Sequence, residues 1–340
     1  METDISTALA TLQIDPENAR ALSALKELKP GNGAGVQPET LARALADARR
    51  WHRERGDFEL CVQLIDLELP WTTDRARRAD LLHEKGRILA DELLRDQEAQ
   101  ACLRAALESV PDHGPSTEGL AQMALIASNW QSIAARYLKQ AEEARDSQMA
   151  SSLLVSVGEM YLKYRPDAPD GEAHLRRSLQ LDPKNRRASQ QLERLLRRQE
   201  RPDELLALLR DRAALAQTRD ERAQAEIAVA EVSQKLGNRD EALAHFRKAL
   251  ETTPGEAKAL RPVVAALTEK KDWAELAKVL ELSSRSKRGE ADVTLLMQLG
   301  TLLWRKLGQS AQAELHFRKV RRLDPANRAA VEFYREFYGR

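Results

Sequence analysis

Four prolines stand at nearly constant spacing in this chain: Pro111, Pro183, Pro254 and Pro325, with steps of 72, 71 and 71 residues. Their surroundings recur too. Leu181-Asp182-Pro183-Lys184-Asn185-Arg186 returns as Leu323-Asp324-Pro325-Ala326-Asn327-Arg328, and Thr253-Pro254-Gly255-Glu256-Ala257 holds the same place between them. A fixed period of this size marks stacked repeats, in which no unit buries its apolar face alone. Such a chain builds an extended surface, which favours binding over a catalytic cleft.

A second register lies inside the first. Phe58, Trp130, Pro202 and Trp273, spaced 72, 72 and 71, each open a leucine-rich segment. One period therefore holds four helices, or two hairpins. Before each proline comes a pattern of small, large apolar and small residues. Ala242, Phe246, Ala249 and Pro254 fit it fully; Ala313, Phe317, Val320 and Pro325 carry one substitution; Ala99, Leu103, Ala106 and Pro111 have Leu for the aromatic; Gly171, Leu175, Ser178 and Pro183 are the most worn. Small residues let helices approach, the large one fills the gap, and proline ends the helix. In the preceding helices Ala230 or Thr301 takes the small position and Trp304 the aromatic one.

This pattern resembles the tetratricopeptide repeat, and the resemblance covers nearly the whole chain. It implies an all-α fold: a right-handed α-α superhelix, a solenoid of about nine helical hairpins with no sheet. It also implies a concave groove lined by the first helix of each hairpin, and a non-enzymatic scaffold that binds a partner segment there. An RNA-associated helical-repeat protein is the alternative reading.

Residues 1–28 read as an N-terminal hairpin with an early proline turn at Pro16. Pro16 to Pro111 is 95 residues, more than one period, and the excess coincides with Lys29-Pro30-Gly31-Asn32-Gly33-Ala34-Gly35-Val36-Gln37-Pro38. Residues 29–38 read as a linker, and 39–340 as a solenoid with a period of about 71 residues. Helices are expected at 38–55, 57–69, 73–93, 96–109, 114–127, 130–145, 148–163, 168–181, 185–199 and onward to 326–338. The last helix, with Val331, Phe333, Tyr334, Phe337 and Tyr338, reads as the cap of the array, as the end of a fragment of a longer array, or as an apolar end that docks onto another domain or, in self-association, onto another copy.

Composition narrows the function. The 340 residues are 31% charged and 4% aromatic, and 54 basic residues against 53 acidic ones leave a net charge of +1. That balance gives no general attraction to nucleic acid or an anionic membrane. Mean hydropathy is −0.55, and no apolar run approaches the roughly 20 residues of a spanning helix. The start, Met1-Glu2-Thr3-Asp4, lacks the basic and apolar regions of a secretory signal. Cys61 and Cys102 read as packing residues rather than a disulfide. The chain reads as cytoplasmic.

No catalytic constellation, cofactor motif or metal site is read from the chain. His174, His245 and His316 recur at 71-residue steps, but copies one period apart stand too far from one another to share an ion, whose ligands each lie about 2 Å from it. Gly31-Asn32-Gly33-Ala34-Gly35 has neither the preceding strand nor the Lys-Ser/Thr of a phosphate loop. Each Asn falls at an expected loop or helix start, which argues against the peptide-carboxylate clamp of some tetratricopeptide proteins. One local bias remains: residues 171–222 hold 13 Lys/Arg and 9 Asp/Glu. Under the resemblance, Arg187, Gln190, Arg194, Arg197 and Arg198 lie on or near the groove, with Lys163 in the preceding first helix and Lys235 and Arg305 in later ones. These eight are the candidate contacts for a protein partner with an acidic segment.

Overall fold

The computed structural model describes residues 8, 11–12, 19–27, 38–284 and 293–339. Among them all regular structure is helical, with no strand. The expected proline turn at Pro16 and the linker lie outside the described residues, except for Pro38, which opens a helix. The chain divides into two compact units, Met1–Gln190 and Gln191–Arg340, and the division falls inside one helix.

The first unit contains α1 (Ala19–Lys26), α2 (Pro38–Arg55), α3 (Phe58–Glu68) with a 3-10 turn at Leu69–Trp71, and α4 (Arg75–Arg87), which runs into a π turn at Ile88–Glu92. There follow α5 (Asp96–Ser109), α6 (Gly114–Glu143), α7 (Ser147–Tyr164), α8 (Asp170–Leu181) and the first residues of α9 (Arg186–Arg198). The second unit holds the rest of α9, then α10 (Pro202–Leu215), α11 (Arg219–Lys235), α12 (Arg239–Thr252), α13 (Ala257–Glu269), α14 (Trp273–Ser284), α15 (Val293–Arg305), α16 (Ser310–Leu323) and α17 (Arg328–Tyr338). Within each unit, helices pack on their sequence neighbours.

The four prolines make one turn four times. α5, α8, α12 and α16 end at Ser109, Leu181, Thr252 and Leu323, and the capping residues Val110, Asp182, Thr253 and Asp324 all have φ between −134° and −139° and ψ between 84° and 99°. The residue before a proline is driven out of the helical region into the extended one. Each capping N–H still donates back into the helix, to Ala106, Ser178, Ala249 and Val320. Those acceptors are the second small residues of the four sequence patterns. Asn185 and Asn327 then start α9 and α17, their side-chain oxygens accepting from the backbone N–H of Ala188 and Ala330 at 3.0 and 3.3 Å, as helix caps do.

The second register is a left-handed residue two places before a helix. Gly56, Glu200 and Lys271 have φ of +82°, +53° and +54° and precede Phe58, Pro202 and Trp273, which open α3, α10 and α14. The copy at Trp130 behaves differently. The helices expected at 114–127 and 130–145 are one 30-residue helix, α6. No glycine or proline lies between Leu120 and Val157. Ser128 Oγ and Asn129 Nδ2 donate to the Leu125 carbonyl from within the helix at 3.0 and 3.1 Å, so Asn129 is not at a loop. Trp130 stacks on Tyr164 with ring centres 5.5 Å apart and meets Tyr161 edge-on at 5.3 Å, fixing α6 to α7.

The small-large-small residues are buried in all four copies: Ala99, Leu103 and Ala106; Gly171, Leu175 and Ser178; Ala242, Phe246 and Ala249; Ala313, Phe317 and Val320. Their partners on the preceding helix correct the sequence reading. The small residue facing Phe317 is Gly300, not Thr301: a Cβ there would stand 3.1 Å from the Phe317 ring. Gly86 and Gly158 face Leu103 and Leu175 equally closely, at 3.0 and 3.1 Å. Ala230 is fully buried in the same core as Phe246.

Candidate functional site

Most of the eight candidate residues share a local cause. Lys163, Arg197, Arg198, Lys235 and Arg305 all lie in the last turn of a helix: α7, α9, α11 and α15. A cation there sits against the negative end of the helix dipole. Helix chemistry alone therefore selects basic residues at these places.

In the first unit, Lys163, Arg187 and Gln190 are engaged by the chain itself. Lys163 Nζ lies 2.8 Å from Asp96, and Tyr164 donates to the same carboxylate at 3.4 Å. Burial, and then the Asp96 charge, push the Tyr164 hydroxyl up to about 12. Arg187 donates to both oxygens of the nearly buried Glu159 at 2.6 and 2.9 Å, and to the Asp91 carbonyl at 3.3 Å. Burial opposes its charge, but the Glu159 bonds and charge more than offset it, so its pKa is raised. The neighbouring Arg186 donates to the Glu54 carbonyl at 2.7 Å. A Cβ on Gly56 would come within 2.2 Å of the Gln190 amide nitrogen. Side chains at the start of α9 thus cap exposed carbonyls at the end of α2 and in the π turn.

In the second unit, Arg194 is half-buried. Arg197 pairs with Glu193 at 2.8 Å, and Arg212 reaches the same carboxylate at 2.5 Å. Burial raises the Glu193 pKa, but Arg212 and Arg197 together hold it below the ordinary 4.5. A depressed carboxylate stabilises the fold above its unfolded pKa, and that contribution is lost as pH falls through the folded value. Stability should therefore fall on acidification from about pH 4.5 downward, and Glu193→Gln should flatten the curve in that window; equal slopes in acid-denaturation series would refute the pairing. Arg305 lies over the Trp304 ring at 3.4 Å and pairs with Glu332 and Glu336 of α17 at 2.7 and 2.9 Å. Arg198 and Lys235 are exposed and form no ion pair among the described residues.

Residues 227–256 match the family model described as Tetratricopeptide repeat. That segment runs from the middle of α11 through α12 and past Pro254, and so contains the complete pattern Ala242, Phe246, Ala249 and Pro254. Residues 227–256 form a tetratricopeptide-type repeat. No curated protein matches it significantly. Among solved structures, PilF of Pseudomonas aeruginosa is similar at 18% identity, covering 77% of this chain and 99% of that one, with a TM-score of 0.33.

Two of the repeat-position histidines meet local neighbours. His245 Nδ1 lies 2.5 Å from Glu226, and His174 rests 5.5 Å from the Tyr161 ring, its pKa lowered by burial. Another grouping looks like chemistry and is not. His113 Nδ1 is 2.8 Å from Ser116 Oγ, and its Nε2 is 3.2 Å from Asp80, the three residue types of a hydrolytic triad. Ser116, however, is fully buried in the first turn of α6, its N–H donating to the His113 carbonyl at 3.1 Å. A nucleophile closed off from solvent cannot reach a substrate, so the trio staples the start of the helix.

Sequence reasoning missed one charged cluster. Arg49 of α2 and Glu68 of α3 form an ion pair with 4% and 1% exposure. Arg77 reaches Glu68 at 2.9 Å, and Glu84 stands 3.7 Å from Arg49 and 2.6 Å from Arg53. Cys61 donates to the Arg49 carbonyl at 3.5 Å, and burial pushes its thiol up to about 11. No periodic signal marks these residues, because their partners sit on three different helices.

Proposed function

We propose that this chain is a non-enzymatic scaffold that holds an acidic segment of a protein partner against the basic helix ends of the second unit, with Arg198 and Lys235 as principal contacts. The observation that carries the reading is their availability. Lys163, Arg187, Gln190 and Arg305 serve the chain's own packing, whereas these two project from helix ends without an internal carboxylate. Tetratricopeptide-repeat proteins are generally non-catalytic scaffolds, and a buried serine beside His113 offers no alternative chemistry. The exposed edge of α17, Val331, Phe337 and Tyr338, supports a second contact, to another protein or another copy.

The test begins with capture of partners from native cells on the intact chain. Arg198→Glu combined with Lys235→Glu should weaken the captured interaction at least about tenfold, since charge reversal replaces attraction with repulsion. Melting temperature should hardly change, as exposed substitutions usually move stability by no more than about 0.5 kcal/mol. Wild-type binding should also weaken as salt shortens the Debye length below about 8 Å. Full retention by the double variant would refute the site.

A further inference from the structure

In a chain that is 31% charged, residues 119–135 of α6 contain no Asp, Glu, Lys or Arg, a run of 17 residues. This run is largely at the surface. Of the 30 residues of α6, only Ser116 and Ala134 are buried. Leu125 is 63% exposed, and Ala121, Ala124, Ala127, Ser128, Ser132 and Ala135 are exposed with it. Glu118, Ala121, Leu125, Ser128, Ser132, Ala135 and Lys139 follow one another at steps of three and four residues, which places them on one face of the helix. The face is neutral and partly apolar in its middle, acidic at one end through Glu118 and basic toward the other through Arg136, beyond which Lys139 pairs with Glu143 at 3.8 Å. It arises at the one helix-opening register where the chain runs straight, so its two halves cannot fold onto each other.

We infer that this face of α6 is a self-association surface, on which a second copy of the chain packs its own α6 antiparallel. Charge decides both occupant and direction. A neutral centre repels no copy of itself. Antiparallel pairing about Ala127 sets Glu118 of each copy against Arg136 of the other, whereas parallel pairing would set like charges together. The uncharged run of 119–135 spans about 25 Å at 1.5 Å per residue, room for several turns of interlocking side chains, with Leu125 of each copy seated among the small residues of the other. No helix among the described residues is long and apolar enough to cross a membrane.

Sedimentation velocity of the full chain from about 1 to about 100 μM should show a monomer–dimer equilibrium. Leu125→Glu, at an exposed position, should leave the circular dichroism unchanged and weaken the dimer at least tenfold. Glu118→Arg should also weaken it, and adding Arg136→Glu to that variant should restore it, because the pairing is reciprocal across the two-fold axis. Three results would overturn the proposal: a wild-type chain monomeric throughout the range, a Leu125→Glu variant that dimerises normally, or a dimer abolished by Tyr338→Arg of α17 yet indifferent to Leu125→Glu.

Discussion

Phe317→Ala should lower the stability of the last helices of the second unit by about 3–5 kcal/mol, the usual cost of emptying a buried aromatic site. Phe317 is fully buried; its ring stacks on Phe333 at 4.5 Å, meets Trp304 edge-on at 6.3 Å and closes on the backbone of Gly300. On the Gly300 side there is no side chain to move into the space, so that wall of the cavity cannot collapse cheaply. Because repeats couple mainly to their neighbours, the loss should be local. Hydrogen exchange should show α15, α16 and α17 opening early while α11 and α12 keep their protection. Unchanged protection in α17 would mean that Phe333 does not depend on Phe317.

Glu68→Ala should destabilise the first unit by about 3–5 kcal/mol, because it leaves the Arg49 guanidinium buried without its main counter-charge. Glu84, 3.7 Å away, keeps the figure toward the lower end. Replacing both partners with apolar residues, Arg49→Met with Glu68→Leu, should be close to neutral, since the pair then carries no desolvation cost. Urea titrations of the two variants separate these outcomes. A double variant as unstable as the single one would show that the pair contributes through geometry rather than charge balance.

Much of the fold was legible because its turns have covalent causes. A proline disfavours helical geometry in the residue before it, and at Pro111, Pro183, Pro254 and Pro325 that bias marked four helix ends to within a residue. The glycines facing Leu103, Leu175 and Phe317 were harder to see. A glycine inside a helical run carries no local signature, and only the packed partner reveals why it is small. The continuity of α6 was hidden for the opposite reason. Register argued for a break before Trp130, while nothing in Ser128-Asn129 compels one, and stacking on Tyr161 and Tyr164 settles it. The candidate contacts were legible as basic residues but not as neighbours. Glu159 answers Arg187 from 28 residues away and the Asp91 carbonyl from 96; such pairings follow from helix stacking and leave no trace in local sequence.

The four proline turns have a consequence for how such a chain can change length. Since Val110, Asp182, Thr253 and Asp324 share one backbone geometry, a cut after one of these prolines joined to the segment following another recreates the same joint. Duplication or excision of a whole period would leave every helix end chemically complete. Crossovers within a helix would instead put large residues opposite large ones. The array is in this sense editable in blocks, with the prolines as its splice points.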